Sequence, residues 1–148
     1  MRKTNLIRGI ICGLMLTTVA ASAVFAGTDK DEKYIGNKND FITKSSNAGR
    51  YTAFAREEGF SMDAVSKASN SRKFYIVATY RGWKDDTIKR IATNTKILKN
   101  SQTVKCSVYR DKTDVFSECH GRAVTWYGEQ DYTGICDDYT MILNQRWD

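Results

Sequence analysis

An antiparallel β-sandwich or small barrel of about seven short strands, preceded by a helical signal peptide, is the fold this sequence predicts, and three observations point to it. Short β-prone or alternating runs are separated by clusters of Gly, Asn, Asp and Ser. Proline is absent, so the turns must come from those residues. Finally, Phe74-Tyr75-Ile76-Val77-Ala78-Thr79-Tyr80 is apolar on both parities, as a central strand covered on both faces would be.

The elements follow in order. Arg2, Lys3 and Arg8 precede a short apolar run from Gly9 to Val19 and a small-residue exit at Val24-Phe25-Ala26, the layout of a secretory leader cleaved after Ala26. This makes residues 1–26 a signal peptide, residues 27–39 a polar, flexible new N-terminus, and residues 40–148 a single β-rich domain. Phe41-Ile42-Thr43 predicts a first short strand, and Ser45 to Gly49 a turn. Arg50 to Glu58 fits both periods and is read as strand.

Ser61 to Ala68 has the start of a short helix, with Ser61 as N-cap and Met62 and Val65 inward, which Ser66, Ser69, Asn70 and Ser71 dissolve into a loop. After Phe74–Tyr80, Arg81 to Asp86 turns the chain. Thr87 to Ala92 is read as strand ended by Asn94, and Asn100-Ser101 marks a turn. Val104, Cys106 and Val108 then alternate with Lys105, Ser107 and Tyr109, which points Cys106 into the core. Ala123–Tyr127 and Tyr139–Trp147 complete the set.

Charge excludes one class of function. The whole chain carries +6, but the leader holds three basic residues and no acidic ones, leaving twenty basic against seventeen acidic, or +3, with no Lys/Arg stripe. No nucleic-acid partner is expected. A membrane is expected to matter only during export.

Cysteine count makes a sharper statement. Cys106, Cys119 and Cys136 cannot all pair within one chain, and Cys119 and Cys136 lie in polar surroundings flanking the Ala123–Tyr127 run, so the expected disulfide joins Cys119 to Cys136. The adjacent Cys119-His120 pair diverges on an extended backbone, so neither a zinc site nor a Cys-His nucleophile is expected. Asp137-Asp138 and Glu129/Asp131 are read as ordinary loop carboxylates. No phosphate-loop, zinc-protease or nucleophile-elbow pattern is present, and no cofactor is expected.

Aromatic residues at strand ends supply the remaining candidates. Trp83, Trp126 and Trp147 are possible ligand-contact rings for a sugar or peptide, flanked by Arg81, Lys84 and Arg146; the competing reading is rings that close the ends of a sandwich.

The leader, the Tyr51-Thr52-Ala53 run before Glu57-Glu58-Gly59, the Tyr132-Thr133-Gly134 turn and the ending Arg146-Trp147-Asp148 resemble small uncharacterised secreted β-proteins of Gram-positive bacteria. Size, export and a C-terminal aromatic strand are also similar to small secreted bacteriocins that fold as β-sandwiches. The expected function is that of a secreted, non-enzymatic extracellular or envelope-associated binding protein, whose partner is a cell-envelope polymer, a glycan or a protein. A secreted antimicrobial or toxin-like effector is the alternative, and a small hydrolase the third.

Overall fold

Alternation runs through this chain, and among the described residues the structure converts it into nine strands in two stacked sheets. The computed structural model describes residues 29–35, as backbone, together with 40–83 and 87–147. The leader at residues 1–26 lies outside them, as do Lys84, Asp85 and Asp86.

The strands are β1 (Asp29–Ile35), β2 (Asp40–Ser45), β3 (Gly49–Arg56), β4 (Gly59–Ser66), β5 (Arg72–Gly82), β6 (Ile88–Leu98), β7 (Thr103–Tyr109), β8 (Phe116–Trp126) and β9 (Ile135–Arg146). One sheet has the order β1-β9-β8-β5-β6 and the other β2-β3-β4-β7. All pairings are antiparallel except β1 with β9, where Asp29 lies beside Tyr139 and Ile35 beside Gln145. The sandwich reading holds, with more strands than expected.

β8 and β9 begin earlier than expected, at Phe116 and Ile135, and three further elements differ from their expectation. Residues 29–35, expected within a flexible terminus, form β1. Residues 61–66, expected to start a helix, belong to β4: Met62 and Ala64 point inward, whereas Val65 stands on the outer face and is half-buried. Period two wins there because β3 and β7 pair on both sides and satisfy the β4 backbone, which an isolated helical turn could not match. The third is β6, which runs on through Asn94 to Leu98 because the Asn94 side chain points inward and donates through Nδ2 to the Lys105 carbonyl at 2.8 Å. Ser101 makes the expected turn into β7, at φ 68°.

The core lies between the sheets. Tyr51, Phe60, Met62, Phe74, Ile76, Tyr80, Met141 and Leu143 are all buried there, and Cys106 packs against them as expected. β8 contributes small residues: the Met62 sulfur would sit 2.2 Å from any β-carbon at Gly121, so glycine is the residue that lets the sheets close here. β5 is central, as its sequence predicts, and Tyr75 and Val77 on its outer face join Val124, Trp126 and Ile135 in a second apolar cluster.

A buried polar bridge ties the sheets at one end. Tyr51 and Ser46 both donate to Asp137 Oδ2 at 2.5 Å, and Tyr51 Oη lies 2.7 Å from Thr125 Oγ1. Burial, with the Asp137 charge next in weight, pushes the Tyr51 phenol well above its ordinary value and keeps it neutral.

Candidate binding site

The three tryptophans do not come together. Trp126 is 3 % exposed in the outer apolar cluster, with the Lys73 ammonium 5.0 Å from its ring centroid. Trp147 is also 3 % exposed, but it closes the other end of the core, donating from Nε1 to Ser117 Oγ at 2.7 Å beneath the Arg110 guanidinium. Trp83, at the end of β5, is half-buried against Phe116 with ring centroids 5.4 Å apart. Two of the three are thus packing residues, and no common platform exists among them.

The expected Cys119–Cys136 bond is also absent: both are free thiols, as is Cys106. Cys119 faces the core opposite Leu143 of β9, and Cys136 lies seven residues away along β9, beside the irregularity that pairs Trp126 with Ile135. At about 3.4 Å per residue that separation is roughly 24 Å, far beyond the ~7 Å between α-carbons that a disulfide spans. The sequence argument failed because β8 begins at Phe116 rather than Ala123, which carries Cys119 to the far end of the hairpin. Burial pushes the Cys119 and Cys106 thiols up to about 12, and the Cys136 thiol is raised by the same cause.

The other candidates for chemistry are held apart. Asp137 faces the core while Asp138 points outward to a two-bond ion pair with Arg122, 3.0 and 2.8 Å. His120 meets Glu118 at 3.1 Å on the outer face, away from the inward Cys119.

Register on the other sheet builds a site that the tryptophans do not. Across the outer face of β3, β4 and β7, Arg56 stands beside Gly59 and Gly59 beside Tyr109. The row therefore has large side chains at its flanks and none in its middle, which leaves a gap two strand spacings wide, about 10 Å. The next row reads Phe41, Phe54, Ser61, Ser107 across β2, β3, β4 and β7, so the gap continues over two small hydroxyl residues. The Arg56, Gly59 and Tyr109 row and the two serines line an open groove of about 310 Å³, with Glu58 on its rim. That volume is at the lower end of ligand sites.

Gly59 is required by its surroundings as well as by the groove. A β-carbon there would fall 2.0 Å from the Val108 carbonyl oxygen.

The walls are presented and braced. Tyr109 is 67 % exposed. Phe41 and Phe54 lie nearly parallel with centroids 5.9 Å apart, and the Arg56 guanidinium sits 4.6 Å from the Phe54 centroid. Arg90 stacks over Tyr109 at 4.0 Å, donates to its carbonyl at 3.3 Å and pairs with Asp111, whose carboxyl that bond holds below its ordinary value. Arg110 donates from Nε to the Glu57 carbonyl at 2.7 Å, and its backbone N–H donates to the Glu58 carbonyl at 3.1 Å, fixing the β3–β4 turn to the end of β7. Such a surface can stack on ring faces, bond hydroxyls and meet an anion.

The sequence carried part of this signal. Tyr109 falls on the polar parity of β7, opposite Cys106 and Val108, so its exposure follows from alternation alone. The meeting of Arg56, Gly59 and Tyr109 depends on pairing register, which one sequence does not specify. The sequence matches no model of a known family and none of the curated proteins, so the groove's own geometry carries the functional reading.

Proposed function

We propose that this chain is a secreted, non-enzymatic binding domain that acts outside the cell or on its envelope and takes a polymer ligand in the groove between Arg56 and Tyr109. The observation that carries the reading is a row with a residue lacking a side chain at its centre, flanked by an exposed tyrosine and a guanidinium held on a phenylalanine ring. Open sheet faces bearing rings and hydroxyls suit extended ligands, because contacts repeat along the strand direction. The leader at residues 1–26 supports export.

The test is retention of purified protein on cell-wall and polysaccharide preparations. Tyr109→Ala is expected to cut retention severalfold while changing stability by less than about 0.5 kcal/mol, since the ring is mostly exposed. Equal retention of the variant and the parent removes the groove from the function. An exported species beginning at Gly27, read by N-terminal sequencing of the culture supernatant, checks the address.

A further inference from the structure

Resting on that reading, we infer that the ligand is an acidic polysaccharide: a chain of sugar rings bearing carboxylates, with a ring face on Tyr109 and a carboxylate on Arg56. The charge inventory of the described residues around the groove carries the step. Arg90 is committed to Asp111 and to the Tyr109 carbonyl. Arg110 is committed to the Glu57 and Asp114 carbonyls. Among the described residues Arg56 has no carboxylate partner, and its contact is the face of Phe54.

A guanidinium stacked on an aromatic ring keeps its in-plane N–H donors directed outward, and their fork matches a carboxylate with two parallel bonds. The stack also limits the rotamers the side chain must give up on binding. Ser61 and Ser107 on the floor complement sugar hydroxyls.

Charge density narrows the class further. Glu58 stands on the same rim, and in the row beyond the serines Asp63 lies beside Lys105. A densely charged phosphodiester polymer needs several cations along its track, whereas one guanidinium flanked by carboxylates suits a polymer with a single charge per ring. The Tyr109 ring gives such a ligand its second contact, since a sugar presents an apolar ring face that a polyphosphate lacks.

Polygalacturonate and its methyl ester share every ring and hydroxyl and differ only in charge, which makes them the probes, with inorganic polyphosphate as the third. Calorimetric titration of the full-length exported protein is expected to give at least tenfold tighter binding to the acid than to the ester, weakening as salt rises. Arg56→Gln is expected to reduce that preference to about twofold or less, with the melting temperature unchanged. Tyr109→Ala should weaken both sugar polymers together, a loss that a purely electrostatic site would not show.

Equal affinity for acid and ester overturns the carboxylate assignment and leaves the groove reading in place. Polyphosphate binding as tightly as the acid overturns the ring contact. Failure to bind any polysaccharide or wall preparation overturns the groove reading itself.

Discussion

The two outer faces of this sandwich carry similar numbers of rings and treat them in opposite ways. On the five-stranded sheet Trp126 is flanked by Val124, Ile135 and Tyr75, and its large neighbours leave it 3 % exposed. On the four-stranded sheet Tyr109 has Gly59 at its side and Ser107 on its own strand, and 67 % of it is open. Whether an aromatic residue serves the core or a ligand is thus decided by the size of its cross-strand neighbours, which are the unit of packing on a sheet face. Polar residues follow the same division. Arg122 and Asp138 neutralise each other within the packed face, while Arg56 rests on a ring and keeps its donors outward.

Substitution on the packed face should produce the largest change. Trp126→Ala is expected to cost about 3–5 kcal/mol in denaturant unfolding, with ligand retention intact at temperatures where the variant stays folded. A small cost would mean that the two faces are not distinct. Disturbing the glycine should come next: a β-carbon at Gly59 would land on the Val108 carbonyl, so Gly59→Ala forces the β4 and β7 backbones apart and should cost about 1–3 kcal/mol, with binding lost in the folded fraction. A variant of parent stability that still binds would show that the empty position does not make the groove.

The smallest effect belongs to pH. Asp111 has its carboxyl below the ordinary value, so its bond to Arg90 contributes fully above the unfolded value of about 3.9 and is lost as pH falls through the lower folded value. Carbon-detected titration of Asp111 should place its midpoint below that of a free aspartate, and the Tyr109 ring resonances should shift in the same window. An ordinary midpoint would mean that Asp111 does not steady the Tyr109 wall.

Much of the fold was legible because the inward positions alternate with polar ones. β7 and the later part of β9 announce themselves through Val104 and Met141, which recur inward at period two, while β5 shows itself as a run apolar on both parities around Phe74. The first half of β8 did not. Its inward residues are Ser117, Cys119 and Gly121, kept small because Met62 and the Trp147 indole come from elsewhere to fill that space. A strand whose core volume is supplied by its neighbours leaves little hydrophobic trace of its own. β4 was hidden differently: Met62 and Val65 fit a helical stripe, and only pairing with β3 and β7 decided for strand. For the site, alternation exposes Tyr109, but the row it shares with Gly59 and Arg56 comes from register.

The pairing of β1 with β9 joins the first described strand to the last. A ribosome delivers Asp29 long before Tyr139, so through most of synthesis the first strand waits without its partner, and the five-stranded sheet is completed only when the twelve residues of β9 arrive. Strand pairs this distant in sequence carry a high loop-closure cost and form late. A chain so arranged stays open while it is being made or threaded through a pore, and closes once its whole length is on one side. Truncation within β9 would then leave an unclosed sheet with exposed edges rather than a shorter working domain.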